Sequence, residues 1–384
     1  MNKFISLGGG DEIGASCYYL QCNGYNFLFD AGMRYENKRK YPSLSGLGKV
    51  KEIDSVNDID CIFISHAHYD HNGALPLLVS KLYNKQEIVC TEYTKEFSEI
   101  QLNILKRQSG IPKYSLYEDI YVDKALERLI PYPIEKKIDK KGYSFTLYKS
   151  GHIPGAVMTL LEVGERKILY TGDFSDKNYP LVGKYSLPNV EDLDLLIVNA
   201  TNVFRKNDTW ETTWGSGESR VKDLIKRIYL YEHINIEVNQ VNNGLELAIL
   251  INNEIEKSDF KRLGIRIFVD EPIAQMLEII KKKEGIKLEN IEYFNENSSL
   301  KNNGIYITLK KSQRLEKVSK IYLSYSLHET YEGIKELILK LRPKKTLIVH
   351  YQDKENREDI LIKELRENGY ENCEYVVNEQ EYIY

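Results

Sequence analysis

Apolar residues along this chain fall mostly into short runs. Phe4-Ile5-Ser6-Leu7, Ser16 to Gln21 and Tyr25 to Phe29 read as strands. The last two are joined at Asn23-Gly24, a dipeptide suited to a two-residue hairpin. Cys61-Ile62-Phe63-Ile64 is a fourth run, and a helix-like pattern spans Gly73 to Leu82. Strand and helix patterns mix from Leu77 to Ile111, and Ile120 to Leu129 predicts a helix. Tyr143 to Tyr148 and Lys167 to Tyr170 are again strand-like. Further on, Val221, Leu224, Ile225 and Ile228 keep helical spacing, before a strand at Ile234 to Val241 and a helix at Leu245 to Ile255. Ile265 to Asp270 then predicts a strand and Pro272 to Ile280 a helix, an alternation that implies a small parallel α/β layer. Ile321 to His328 reads as strand then turn, ahead of a helix carrying Tyr331, Ile334, Leu337, Ile338 and Leu341 on one face. Lys345 to Val349 is a late strand. The class is α/β.

Polar residues with chemistry stand where these runs stop. Ser65-His66-Ala67-His68-Tyr69-Asp70-His71 follows the fourth run and holds three of the chain's seven histidines. In an extended segment, side chains two apart share a face about 6–7 Å apart along the chain. His66 and His68 therefore suit one ion, while Asp70 and His71, where the chain turns into helix, suit a second beside it. Imidazole with carboxylate favours zinc or a similar borderline metal. Asp30 ends the Phe27-Leu28-Phe29 run, His152 lies in Gly151-His152-Ile153-Pro154-Gly155, Asp173 closes Tyr170-Thr171-Gly172-Asp173, and His350 ends the late strand. Groups delivered by successive strand ends point to a site at one sheet edge.

Length and composition narrow the setting. A chain of 384 residues exceeds what one core usually supports, so two domains or one with a large insertion are expected. The N-terminus Met1-Asn2-Lys3-Phe4-Ile5-Ser6 lacks the apolar region of a signal peptide. No apolar stretch approaches the ~20 residues of a membrane span, so no membrane partner is expected. Five scattered cysteines without a Cys-x-x-Cys pair argue for reduced thiols and a cytoplasmic location. Net charge is −4, so contact with nucleic acid would rest on local basic runs: Arg34 to Lys40, Lys281-Lys282-Lys283 and Lys310-Lys311. More often such runs are simply solvated. Gly8-Gly9-Gly10 lacks the Gly-Lys-Ser/Thr of a phosphate cradle and reads as a tight turn.

The series Asp30, Ser65 to His71, Gly151-His152, Asp173 and His350 resembles the metallo-β-lactamase fold. The runs LGGGDEIGASCYYL, DHNGALPLL, GHIPGA, YTGDFS and DLLIV resemble, more closely, the β-CASP nucleases, which include the pre-mRNA 3′-end endonuclease and RNase J. The resemblance implies an αββα sandwich with an inserted α/β β-CASP-like domain: residues 1–202 and 317–384 forming the sandwich, 203–316 the insert. Val269-Asp270-Glu271-Pro272-Ile273-Ala274 looks like a family segment within that insert. By resemblance, His66, His68 and His152 hold one zinc, Asp70, His71 and His350 a second, and Asp173 bridges both, with manganese or iron also compatible. Asp30 would orient a ligand from behind.

The implied reaction is hydrolysis of RNA or single-stranded DNA by a metal-bridging hydroxide, leaving 5′-phosphate and 3′-hydroxyl ends. Asp70 and His328 are the expected catalytic residues, with His328 donating to the leaving oxygen and Ser326 touching substrate. Both sit in a segment that resembles the family's Ser-Gly-His motif, with Leu327 in place of glycine. Two departures stand out. Asn199 replaces an acidic residue that would raise the basicity of His328, and Asn243-Gly244-Leu245-Glu246 lacks the arginine of the family's Gly-Arg-Ala-Gln-Glu. A metallohydrolase of small esters, thioesters or lactones and a cleavage-deficient binding or scaffold homologue are the alternative readings. A homodimer is compatible with the sequence.

Overall fold

The computed structural model describes residues 2–384 other than 36–38, 45–46, 48–54, 84–85, 110–118, 206–223, 225, 227–232, 239–240, 258–261, 295–299, 302, 310–314, 316–317, 323–326 and 353–359. The chain forms two compact units. The first comprises Met1–Asn178, Val182–Lys206 and His328–Tyr384; the second comprises Tyr179–Leu181 and Asn207–Leu327.

In the first unit, strands β1 (Lys3–Gly8), β2 (Cys17–Cys22), β3 (Tyr25–Phe29), β4 (Cys61–Phe63), β5 (Glu87–Cys90) and β6 (Leu129–Pro131) belong to one sheet. Strands β7 (Ile138–Asp139), β8 (Ser144–Lys149), β9 (Val157–Val163), β10 (Arg166–Tyr170), β11 (Leu195–Asn199), β12 (Lys345–Val349) and β13 (Cys373–Tyr375) make a second, and β14 (Glu381–Ile383) returns to the first. The orders are β14-β1-β2-β3-β4-β5-β6 and β13-β12-β11-β10-β9-β8-β7. The Asn23-Gly24 turn between β2 and β3 has both residues at positive φ, 48° and 87°, as the dipeptide predicts.

Alternation along each strand explains the layering. Phe27 and Phe29 of β3 pack with Phe145, Ile168, Ile197 and Val349 of the second sheet, while Leu28 between them faces the helices on the other side. Likewise Leu195 and Ile197 of β11 face the first sheet, and Leu196 and Val198 face outward. The outer layers are α2 (Leu75–Val79), α3 (Glu92–Ser109) and α4 (Ile120–Arg128) on one sheet and α5 (Tyr331–Leu341) and α6 (Ile360–Glu367) on the other. Strands covered on both faces read as unbroken apolar runs. The result is the expected αββα sandwich. One element differs: of the helical stretch expected over 73–82 only α2 is helix, with Pro76 in its first turn, and Gly73-Ala74 separates it from a short α1 (Tyr69–Asn72) that precedes the stretch.

The second unit is a five-stranded parallel sheet ordered Ile291–Tyr293, Arg266–Val269, Gly304–Thr308, His233–Glu237, Ser319–Tyr322. Helices Val241–Lys257 and Glu271–Glu284 accompany it. Ser319–Tyr322, expected at the start of the returning sandwich segment, pairs instead with His233–Glu237 as the edge of this sheet, and the first unit resumes at His328. Lys281-Lys282-Lys283 lies exposed in the last turn of its helix, where positive charge complements the helix dipole whatever else it meets. Lys310-Lys311 and most of Arg34 to Lys40 lie outside the described residues or their described side chains.

Candidate metal centre

Strand direction assembles the site. β3 and β4 are parallel, and β10, β11 and β12 are parallel to one another, so each set releases the chain at one edge. Asp30 follows β3, the histidine cluster follows β4, Asp173 follows β10, Asn199 ends β11 and His350 follows β12. His152 lies in the turn from β8 to β9. At the exits Asp30 (φ 62°) and His350 (φ 56°) adopt the left-handed conformation, turning each side chain out of its strand's alternation.

Two groups of ligand atoms result. His66, His68, His152 and Asp173 form one; Asp70, His71, Asp173 and His350 form the other, and within each the donor atoms lie within 4.8 Å of one another. His68 Nδ1 is 3.0 Å from His66 Nε2 and 3.1 Å from His152 Nε2. Asp173 Oδ2 lies 3.7 Å from His66 Nε2 and from His152 Nε2, and 3.3 Å from His71 Nε2. His350 Nε2 is 3.6 Å from Asp70 Oδ2 and 4.0 Å from Asp173 Oδ1. Donors about 2.0–2.1 Å from a tetrahedral ion stand about 3.3 Å apart, so these spacings fit a cation in each group. Moreover, His71 Nε2, His350 Nε2 and Asp173 Oδ2 are buried without a hydrogen-bond partner among the described residues. Three orphaned donors converging in a buried cluster are what an ion would satisfy. The cluster is able to bind metal ions.

Electrostatics without an ion point the same way. Burial, reinforced by the neighbouring rings, holds His66 well below the ordinary histidine value and takes His68 down to about 3. Burial also opposes charge on His71, but Asp173, Asp30 and Asp70 outweigh it and raise that imidazole well above its ordinary value. Burial opposes charge on Asp173 and on the half-buried Asp70 too, yet His71 and its neighbours hold both carboxyls low. In effect a proton on His71 occupies the place of a cation among three carboxylates.

Behind the ligands, other side chains fix their ring nitrogens. Asp30 accepts from the Ser65 amide (2.7 Å), the Ser65 hydroxyl (2.8 Å), His71 Nδ1 (2.7 Å) and the Tyr170 hydroxyl (2.5 Å). Ser65 Oγ also lies 3.0 Å from His66 Nδ1, and Ser16 Oγ lies 2.9 Å from His350 Nδ1. The pairings of Ser16 with His350 and of Tyr170 with Asp30 carry no signal in the sequence, because a hydroxyl far away in the chain has no periodicity that announces its partner.

His328 joins this cluster with its side chain mostly buried. Its Nδ1 is 3.3 Å from Asp173 Oδ2 and 3.3 Å from Thr201 Oγ1. Burial, only partly offset by Asp173, keeps the ring below its ordinary value. Asn199 does not face His328 as the family pattern implies: its Nδ2 donates to Asp173 Oδ1 at 3.0 Å, and Thr201 meets the histidine instead. Glu329, also unmarked in sequence, is buried; it accepts from the Asp176 amide at 2.6 Å and from the Thr330 amide at 2.8 Å. It thereby ties the loop after Asp173 to the turn carrying His328. Ser326 lies outside the described residues.

Comparison with known proteins agrees with this geometry. Residues 10–185 match the family described as the Metallo-beta-lactamase superfamily. Those residues carry the signature of a metallo-β-lactamase domain. The chain is 32% identical over 206 residues to cleavage and polyadenylation specificity factor subunit 3 of Dictyostelium discoideum, covering 52% of this chain and 26% of that protein. It is 32% identical over 202 residues to a probable RNase, MJ4, of Methanocaldococcus jannaschii, covering 52% and 45%. An Integrator complex subunit 11 homolog of Dictyostelium discoideum is 28% identical over 273 residues, 68% of this chain and 35% of that one. The chain thus spans less than half the length of these curated relatives. A crystal structure of a protein of unknown function from Enterococcus faecalis V583 superposes over the whole of both chains with a TM-score of 0.66 at 15% identity, a likeness of fold.

Proposed function

We propose that this chain, with its metallo-β-lactamase domain, is a metal-dependent nuclease that hydrolyses phosphodiester bonds of RNA or single-stranded DNA. The observation that carries the reading is the pair of ligand groups sharing one carboxylate, Asp173, with His328 beside it. Relatives bearing the names of an RNase and of pre-mRNA cleavage factors support a polymeric substrate.

The donor set of imidazoles and carboxylates suits two zinc ions, His66, His68 and His152 holding one, Asp70, His71 and His350 the other, and Asp173 both. When bound, the ions supply Lewis acidity and an activated water. The protein's residues do the rest. Asp173, fixed by the Asn199 amide, sets the spacing of the two groups. Asp70 is the ligand most open to solvent and borders the approach of a phosphate. His328, mostly buried and kept neutral by its surroundings, donates a hydrogen bond to the phosphate or to the departing 3′ oxygen. Water adds across the P–O3′ bond, so the products carry 5′-phosphate and 3′-hydroxyl ends.

All five cysteines are buried and none is joined in a disulfide, which supports a reducing, cytoplasmic setting. Among the described residues no helix is long and apolar enough to cross a membrane. The test is incubation of purified protein with end-labelled RNA and single-stranded DNA, with and without chelator. Chelator-sensitive cleavage with 5′-phosphate products is expected. Protein carrying two ions per chain that cuts neither polymer would overturn the proposal, and turnover of a small thioester would then favour the other enzymatic reading.

A further inference from the structure

His350 is the ligand that arrives from farthest along the chain, and its ring is held by one side chain. Ser16 Oγ lies 2.9 Å from His350 Nδ1, both residues fully buried. A hydroxyl beside an imidazole nitrogen is ambiguous, since either can donate. Here the second ligand group resolves it. Nε2 of His350 faces Asp70 Oδ2 at 3.6 Å and Asp173 Oδ1 at 4.0 Å, and an ion held there would take the lone pair of that nitrogen. The proton of a neutral ring then sits on Nδ1, and Ser16 Oγ is the acceptor within reach. The backbone beside them is fixed as well: the Gly9 carbonyl accepts from the Tyr18 hydroxyl at 2.7 Å and from the His350 amide at 2.6 Å.

The Gly9 carbonyl thus joins Tyr18 to the His350 backbone. That junction also explains the glycine turn. Gly9 has φ +75°, and a Cβ there would stand 2.7 Å from the Tyr18 hydroxyl and 2.7 Å from Ser16 Cα. The same serine reaches the other side of the second ligand group, because its amide donates to the Asp70 carbonyl at 3.0 Å. One residue thus braces two ligands of one group, and neither Ser16 nor Tyr18 touches the first group's histidines.

We infer that Ser16 is the positioning residue of the second cation site: its hydroxyl fixes His350 as the Nδ1–H tautomer and leaves the Nε2 lone pair aimed at the ion held with Asp70, His71 and Asp173. The inference rests on the two-ion reading above. Nε2 of His350 is buried with no hydrogen-bond partner among the described residues, as a nitrogen kept for an ion would be. Ser16→Ala preserves the backbone bond to Asp70 and removes only the ring's acceptor. Partners of this kind change metal affinity by about 10–100-fold.

The experiment is zinc titration of chelator-stripped protein, wild type and Ser16→Ala, followed by elemental analysis after dialysis against limiting zinc. Wild type is expected to keep two ions per chain. The variant is expected to keep one, with first-site affinity unchanged and second-site affinity lowered about 10–100-fold. Two ions retained by both proteins with equal affinities would overturn the assignment of Ser16 alone. Fewer than two in wild type would overturn the two-ion reading and this inference with it. A variant that does not fold leaves a direct measurement on the zinc-loaded wild type: nitrogen NMR of the His350 ring. It should show a protonated Nδ1 and an ion-bound Nε2, and the opposite arrangement would refute the assignment of Ser16.

Discussion

Asp30→Asn is the substitution whose effect follows most directly from the geometry. The side chain is fully buried, and its two oxygens serve four donors unevenly. Oδ1 accepts only the Ser65 amide, whereas Oδ2 takes the Ser65 hydroxyl, His71 Nδ1 and the Tyr170 hydroxyl. Asparagine tolerates φ +62° as aspartate does, so the backbone is not the source of any loss. Its best arrangement keeps the oxygen on the three-donor side and turns the amide toward the Ser65 N–H. One buried donor is then unmet, at about 1–3 kcal/mol. The three surviving bonds lose their ionic partner, at up to about 1 kcal/mol each. The sum is about 4 kcal/mol, within the roughly 3–5 kcal/mol seen when one member of a buried ion pair is removed.

His71 provides the pH condition. Its folded-state value is raised, so the stabilisation is fully present below the ordinary histidine value and fades as pH rises through the folded one. Urea unfolding at about pH 6, with chelator present, should therefore show wild type and Asp30→Asn separated by about 4 kcal/mol. A difference under about 1 kcal/mol would refute the reasoning, because four buried donors cannot lose their shared anion so cheaply.

Three further outcomes follow from other groups. Asn199→Asp replaces an amide donor by a second carboxylate about 3 Å from Asp173; metal-free protein should lose about 3 kcal/mol at neutral pH, and an unchanged melting temperature in chelator would contradict this. Burial and Asp176 push the Glu329 carboxyl up to about 7. That raised value makes its contribution fully present below about pH 4.5 and lost as pH climbs through about 7, about 3 kcal/mol in all; Glu329→Gln should flatten this part of the stability profile, and parallel profiles for the two proteins would disprove it. Cys61 and Cys90 are pushed up to about 12 by burial, so a thiol reagent at pH 8 should leave both unlabelled in native protein and modify them only in denaturant; rapid native labelling of either would show the core to be open.

Much of the sandwich was legible because its strands are short apolar runs with functional residues where they stop. Lys345 to Val349 and Tyr25 to Phe29 have the bounds that the pattern predicts. The histidine cluster was legible from its spacing, although His66 and His68 stand in an extended loop beyond β4 rather than within a strand. What the pattern could not carry is pairing across distance. Tyr170 meets Asp30 across 140 positions and Ser16 meets His350 across 334. Such contacts depend on two sheets closing face to face, which no local window encodes. Asn199 is a further case. Its place at the end of β11 is readable, but which neighbour its amide meets depends on how β10 and β12 flank it. The edge strand Ser319–Tyr322 was assigned to the wrong unit because an apolar run does not say which sheet will take it.

The central claim is that Asp173 serves two cations at once. Diffraction from zinc-loaded crystals, recorded on both sides of the zinc absorption edge, locates the ions without assumption about activity. Two anomalous peaks about 3.5–4 Å apart, one among His66, His68 and His152, the other among Asp70, His71 and His350, with Asp173 reaching both, are predicted. A single peak, or zinc bound away from Asp173, would contradict the account.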